Sequence, residues 1–250
     1  VLHRPAEIHV FTRAGVRALD QAATEELGIP GIILMENAAV SLAQAALDLI
    51  ASRGLSRIAI ACGPGNNGGD GFALARHLAN RGFNPLIIAT VPIDRLQGDA
   101  GVNARIAERM ELRIIDPILA MAPQAALEIV LDDGPIAPTD EEARRILIVD
   151  ALLGTGADRP VAPPLDRLVQ WMNGMRRRGS TILAVDIPTG LDADTGLPLG
   201  GPCVHADVTL TLAGIKKGFL HPDARRHTGE VIVGDIGVPM SLLRKHATAV

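Results

Sequence analysis

Three stretches of this sequence carry polar side chains at positions where an α/β fold would expose them to a ligand. The first is Gly65–Gly71, read GNNGGDG, directly after the apolar run Arg57–Cys62. Gly63, Gly65 and Gly68 fit the spacing G-x-G-x-x-G, which allows close backbone approach and offers the free N–H groups of a helix N-terminus to an anion. Asn66 and Asn67 add amide carbonyls and NH2 donors to that turn. As turn formers alone they would supply only left-handed geometry. The other two stretches resemble each other. Ile146–Asp150 (ILIVD) runs into ALLGTG, and Ile182–Asp186 (ILAVD) runs into IPTG. One Asp closing a strand is as readily a cap or turn former as a ligand. Two of them beside an Asn-rich phosphate loop converge on one crevice, where bare carboxylates repel and raise each other's pKa. A cation relieves that repulsion, and hard cations take oxygen ligands of the kind that Asn67, Asp150 and Thr189 carry. Asp186 is then left for a substrate.

The residues downstream of the glycines weaken a redox reading. A dinucleotide dehydrogenase needs an acid about 20 residues on, at the end of the second strand, to hold the ribose hydroxyls. Thr90 and Val91 stand there, and Asp94 comes late. Aromatic residues are 2% of the chain, with no Tyr, so stacking platforms for single-stranded nucleic acid are missing. A net charge of −4 gives no broad basic face for a duplex. Cys62 and Cys203 form neither a zinc spacing nor a disulfide framework. The sequence shows no signal peptide and no uninterrupted apolar run of 18 residues, and reads as a cytoplasmic protein without membrane attachment.

The elements that must position these residues can be read from the apolar pattern. Thr12 can cap a helix over Arg13–Leu27, with Val16, Leu19, Ala23 and Leu27 on one face. An Ala-rich helix over about Ile32–Ala51 ends at Gly54. Short apolar runs then alternate with helical segments. Strands are expected at Arg57–Cys62, Pro85–Val91, Leu112–Ile115, Ile146–Asp150 and Thr181–Asp186. Helices are expected at Asp70–Arg81, Asp99–Met110, Ala122–Leu131 and Leu165–Arg178. Leu191–Pro202, rich in Gly, Pro and Asp, reads as a surface loop, and Asp207–Leu212 and Glu230–Val233 as strands extending one sheet edge. Continuous Val, Ile and Leu runs mark strands covered on both faces. The fold class is therefore α/β: a three-layer α/β/α, doubly wound, mostly parallel sheet (Rossmann-like) with an N-terminal two-helix extension. No composition break divides the 250 residues, so one domain is expected over 1–250.

Taken together, CGPGNNGGDGFALARHL, DALLGTG and VDIPTGLD resemble the signature of the YjeF N-terminal domain family, the NAD(P)H-hydrate epimerases. Leu34–Ala39 (LMENAA) and Gly229–Pro239 resemble it too, so the likeness runs from about Thr12 to Pro239. The resemblance implies a homodimeric isomerase that interconverts the R and S forms of hydrated NADH and NADPH, with one potassium ion (K+) per subunit. It places Asn66, Asn67, Gly68, Gly69 and Asp70 on the substrate. It wraps the phosphates in Gly154, Thr155, Gly156, Ala157, Asp158, Arg159 and Pro160, with Arg159 as the charge partner. Asp186 contacts the reacting ring and is the candidate catalytic acid/base, while Asn67, Asp150 and Thr189 ligate potassium. Where family members usually have Ser, Thr189 keeps the hydroxyl and adds a methyl. Lys216 falls where the family pattern is broken and reads as a solvated lysine. Glu36 and Asn37 lie on a helix that the resemblance places near the crevice, as either surface and packing residues or supports of the site. The alternative is a non-catalytic nucleotide-binding or protein-interaction scaffold, from which the Asn and Asp set would be the first to erode.

Overall fold

The computed structural model describes residues 7–115, 141 and 145–248; the helix expected at 122–131 lies outside the described residues. In chain order the elements are β1 (Val10–Phe11), α1 (Arg13–Glu25), α2 (Gly31–Arg53), β2 (Arg57–Cys62) and α3 (Asn66–Ala79). They continue with β3 (Leu86–Ala89), α4 (Gly98–Arg109), β4 (Arg113–Ile115), β5 (Ile146–Ala151) and α5 (Leu165–Arg177). The last are β6 (Thr181–Val185), β7 (Val208–Leu212), β8 (Ile215–Lys216), α6 (Arg225–Thr228), β9 (Glu230–Gly234) and α7 (Met240–His246).

Seven strands form one parallel sheet in the order β4-β3-β2-β5-β6-β7-β9. Every residue of β5 and β6 is buried, because alternate side chains serve two different cores. Ile58, Ile60, Leu147 and Val149 pack with α2, α3 and α4 on one face. Ala59, Ala61, Ile146 and Ile148 pack with Leu168, Val169, Met172 and Met175 of α5 on the other. Each such side chain contributes roughly 1.5–3 kcal/mol of apolar burial. The chain runs outward from β2 to β4 and then crosses to β5, so strand order reverses between β2 and β5. Ligand crevices open at the carboxyl ends of strands at such a reversal. Those ends are Cys62 and the Asp150–Ala151 pair.

Helix α2 is long and apolar enough to cross a membrane by length and composition. Ten of its 23 residues are instead buried, five of them Ala, and the helix lies on α3 and the sheet. Small side chains permit that close approach. Gly54, at φ 63, closes the helix in the left-handed conformation. Helix α3 starts at Asn66, four residues before the expected Asp70, so GNNGGDG is helical rather than a loop before a helix. Its low helix propensity hides this in the sequence. Contact decides it: a Cβ on Gly68 would meet the Gly63 carbonyl oxygen at 1.9 Å, and one on Gly63 would meet the Leu152 carbonyl oxygen at 1.8 Å.

Two further departures concern the edges of the fold. The segment Leu191–Pro202 is not simply a surface loop: Leu191 and Ala193 are buried with Ile187 and Cys203, and Leu191 bridges Pro198. The N-terminal layer is also stitched in by a second, two-stranded parallel sheet. Val10 pairs with Ile215 and Phe11 with Lys216. Thr12 Oγ1 accepts from Gly15 N, as its type predicts, and starts α1 at that junction. Arg13 then latches α1 to the loop after β6 through Asp192 Oδ2 at 2.6 Å and Asp194 Oδ1 at 2.8 Å. A small core of Phe11, Leu19, Leu34, Ile236 and Leu242 fills the space beneath. This layer therefore holds α1 over the strand ends.

Candidate functional site

A cavity of about 890 Å3 opens at the strand-order reversal. Asn66, Asn67 and Asp70 of α3, the turn Gly154–Pro160 after β5, and Asp186 after β6 all line it. Gly68 and Gly69 do not: they face protein, Gly69 lying so close to Met35 that an added Cβ would sit 2.7 Å from its Cε. Thr90 and Val91 line the wall at the end of β3, and Asp99 joins them from the start of α4.

Asp186 sits at φ 65, a strained conformation for a residue with a side chain. Its own N–H donates to Leu210 O at 2.8 Å, which holds the kink. The carboxylate Oδ1 accepts from Leu212 N at 3.2 Å and pairs with Lys216 Nζ at 2.7 Å. Among the described residues Oδ2 has no hydrogen-bond partner, so it is the oxygen left for the cavity. Lys216 corrects the sequence reading. It is not solvated but 0% exposed, and its ammonium also donates to Leu212 O at 2.9 Å and Gly214 O at 3.3 Å. Three acceptors satisfy its three protons. The signal was in the topology: Lys216 belongs to β8, whose pairing with β1 no local pattern announces.

Two more carboxyl groups face the same space. Asp70 is buried and its pKa is raised well above the ordinary carboxylate range, first by burial and then by the charges of Asp186 and Asp20. Asp20, on α1, is an exposed residue that lines the wall of the cavity, with the strand-end groups close to it. Enclosure first, and the like charge of Asp186 second, push its pKa up to about 6, against the pull of Lys216. Asp20 and its neighbour Arg17 also line the cavity but do not stand out in the sequence, where both read as the polar face of an amphipathic helix. Arg17 and Arg159 are exposed, and neither is in an ion pair among the described residues. Two free guanidinium groups suit phosphate oxygens.

Asn67, Asp150 and Thr189 meet around the turn Leu152–Gly154. Thr189 donates to both Asp150 oxygens, from Oγ1 at 2.7 Å and from N at 2.8 Å. Thr189 Oγ1 also accepts from Leu153 N at 3.0 Å. Asn67 Oδ1 would lie 3.2 Å from a Cβ on Gly154, and its Nδ2 is buried without a partner. Burial raises Asp150 to about 6, although the bonds from Thr189 and Leu152 pull the other way. One amide, one carboxylate and one hydroxyl, with a buried carboxylate lacking a countercharge, fit a hard monovalent cation. Among the described residues no group of three His, Cys, Asp or Glu side chains could hold a metal. Glu36 and Asn37 hold elements together. Glu36 bonds Arg76, and His77 at 2.9 Å, on α3, while Asn37 Nδ2 donates to the Ile236 carbonyl at 3.1 Å.

Comparison with known proteins points to one family. The family described as YjeF-related protein N-terminus matches residues 31–218. An NAD(P)H-hydrate epimerase of Rhodopirellula baltica is 40% identical over 246 residues, covering 98% of this chain and 91% of its own. A second, from Pirellula staleyi, is 35% identical, covering 94% and 96%. A bifunctional NAD(P)H-hydrate repair enzyme Nnr of Thermanaerovibrio acidaminovorans is 38% identical over 228 residues, and the chain spans 40% of its length. The crystal structure of yeast ynu0, YNL200c, shares the fold, with TM-score 0.75 at 24% identity over 96% of this chain and 93% of that one.

Proposed function

Because this chain belongs to the YjeF-related N-terminal family, we propose that it is an NAD(P)H-hydrate epimerase, interconverting the R and S forms of hydrated NADH and NADPH. The observation that carries the reading is Asp186: a strained strand-end carboxylate, braced by a buried lysine, facing the same cavity as Asn66 and Asn67 at the start of α3 and the Gly154–Pro160 loop.

In the hydrate, a hydroxyl sits on the carbon next to the ring nitrogen. When that oxygen is protonated the C–O bond breaks, water leaves, and the nitrogen lone pair forms an iminium. Water then adds from the other face and gives up a proton, and the centre is inverted with no change of oxidation state. Asp186 Oδ2, facing the cavity, exchanges that proton as acid/base. The N-terminal N–H groups of α3, from Asn66 and Asn67, and the Gly154–Pro160 turn with Arg159 hold the phosphates. Asn67, Asp150 and Thr189 hold one potassium ion per subunit, which supplies positive charge beside the phosphate turn. Asp150, buried with no countercharge, and the all-oxygen set support that assignment. The protein acts in the cytoplasm as a homodimer. Unbridged Cys62 and Cys203 suit a reducing compartment, and the exposed Leu27, Ile33 and Val40 of the α1–α2 layer suit a second copy.

The test is chromatographic. Supplied with pure R hydrate, the protein should generate the S form until both are present, faster in potassium than in choline salts. A rate no greater than that of buffer would overturn the proposal.

A further inference from the structure

Inverting a centre through departure and return of water involves both faces of the ring. One group must protonate the leaving hydroxyl while another accepts a proton from the incoming water, and the two exchange roles in the reverse direction. A single carboxylate held by Lys216 is poorly placed for both tasks. Asp186 has Oδ1 committed to Lys216 and Leu212 N, and its backbone is fixed by the bond to Leu210 O. It is anchored from three sides and cannot swing across the ring.

We propose that Asp20, carried by α1, is the second proton-transfer residue of this site, working across the substrate ring from Asp186. The inference rests on the epimerase reading above. Four observations support it. Asp20 lines the cavity that Asp186 lines, but from a separate element. Its carboxyl makes no ion pair among the described residues, so it is free to take and release a proton. Lys216, the buried cation of the site, is already spent on Asp186, which makes the two carboxyl groups chemically unlike. Finally, the N-terminal layer is fastened where this role requires it: Phe11 pairs with Lys216 itself, and Arg13 is latched to Asp192 and Asp194. Groups whose surroundings divide them into a base and an acid are the usual basis of such assignments. Asp70 also lines the cavity, but from α3, the element whose first residues Asn66 and Asn67 face the phosphates.

Asp20 is surrounded by Asp186 and Lys216 at the strand ends, Asp70 on α3 and Arg17 on its own helix. With its pKa at about 6, the protonated form is lost as pH rises through that value, so the epimerisation rate should show a falling limb there. In one direction Asp20 gives its proton to the hydroxyl as the C–O bond breaks, and Asp186 takes one from the entering water. A proton then passes back through solvent.

The experiment compares wild type with Asp20→Asn and Asp20→Glu, reading kcat and KM for pure R hydrate across pH after subtracting uncatalysed exchange. Asp20→Asn should lose about 100-fold or more in kcat, with KM changed less than about threefold, and the limb near pH 6 should vanish. Asp20→Glu should recover part of the rate and restore a limb. Thermal unfolding of Asp20→Asn should be little changed, because the side chain is exposed and makes no ion pair among the described residues. If wild type epimerises while Asp20→Asn keeps its rate and its limb, Asp20 has no part in proton transfer and the epimerase reading stands. If wild type does not epimerise, it is that reading which fails.

Discussion

At Asp186 a side chain and a backbone angle are chosen together. Asp and Asn tolerate the left-handed region better than other residues with a Cβ, so Asp186→Asn should keep the turn, and its Oδ1 still accepts from Leu212 N and Lys216. Turnover should fall at least about 100-fold, measured chromatographically, while circular dichroism shows the wild-type fold. Near-normal epimerisation by this variant would remove Asp186 from the chemistry. Lys216 acts at one remove, because it touches Asp186 and two carbonyls but not the cavity. Lys216→Met fills the same slot without the charge. It should reduce kcat at least about tenfold and leave KM within about threefold, because the phosphate-binding turns are untouched. A loss confined to KM would mean that Lys216 supports binding instead.

At the scale of elements, the strand ends explain both what the sequence revealed and what it hid. Strands β2, β5 and β6 were legible to within a residue, because an apolar run buried on both faces has few alternatives. That Asn67, Asp150 and Thr189 lie near one another was legible because each sits at or shortly after the carboxyl end of such a run. Helix α3 begins four residues earlier than its local pattern suggests, since glycines that avoid helices locally are required by the Gly63–Gly68 approach. Lys216, Asp20 and Arg17 were illegible because long-range pairing of β1 with β8 brings them in. The strand ends also set a pH dependence. Raising the fully buried Asp150 from its ordinary 3.8 to about 6 means the folded protein favours the protonated form. Its contribution is complete below 3.8 and is lost as pH climbs through about 6, roughly 3 kcal/mol by neutral pH. A cation beside the carboxylate should return much of this. Potassium chloride should therefore raise the unfolding midpoint relative to choline chloride at about pH 7.5, and hardly at all at about pH 4.5. Equal effects at both pH values would show that Asp150 does not hold the ion.

At the scale of the whole molecule, the outer surface of the N-terminal layer carries apolar side chains that packing within the subunit leaves exposed. Ile33 and Val40 are seven residues apart on α2, hence on one face, and each is 48% exposed; Leu27, just before the helix, is 47% exposed. Polar residues would cost the isolated subunit nothing at these positions. The same layer carries α1, so a contact there would press on the element that presents Asp20 and Arg17. A stable dimer buries about 800 Å2 per subunit, which calls for a patch wider than one helix stripe and includes the α1–α2 connection. Replacing Ile33 and Val40 together with Glu places two like charges at the centre of that patch on each copy. Sedimentation equilibrium should give a dimer for wild type and a monomer for the double variant, with the subunit's own unfolding little changed because neither side chain belongs to a buried core. A double variant that remains dimeric moves the interface to another face; a monomeric wild type removes the dimer, and the cavity must then work within one chain.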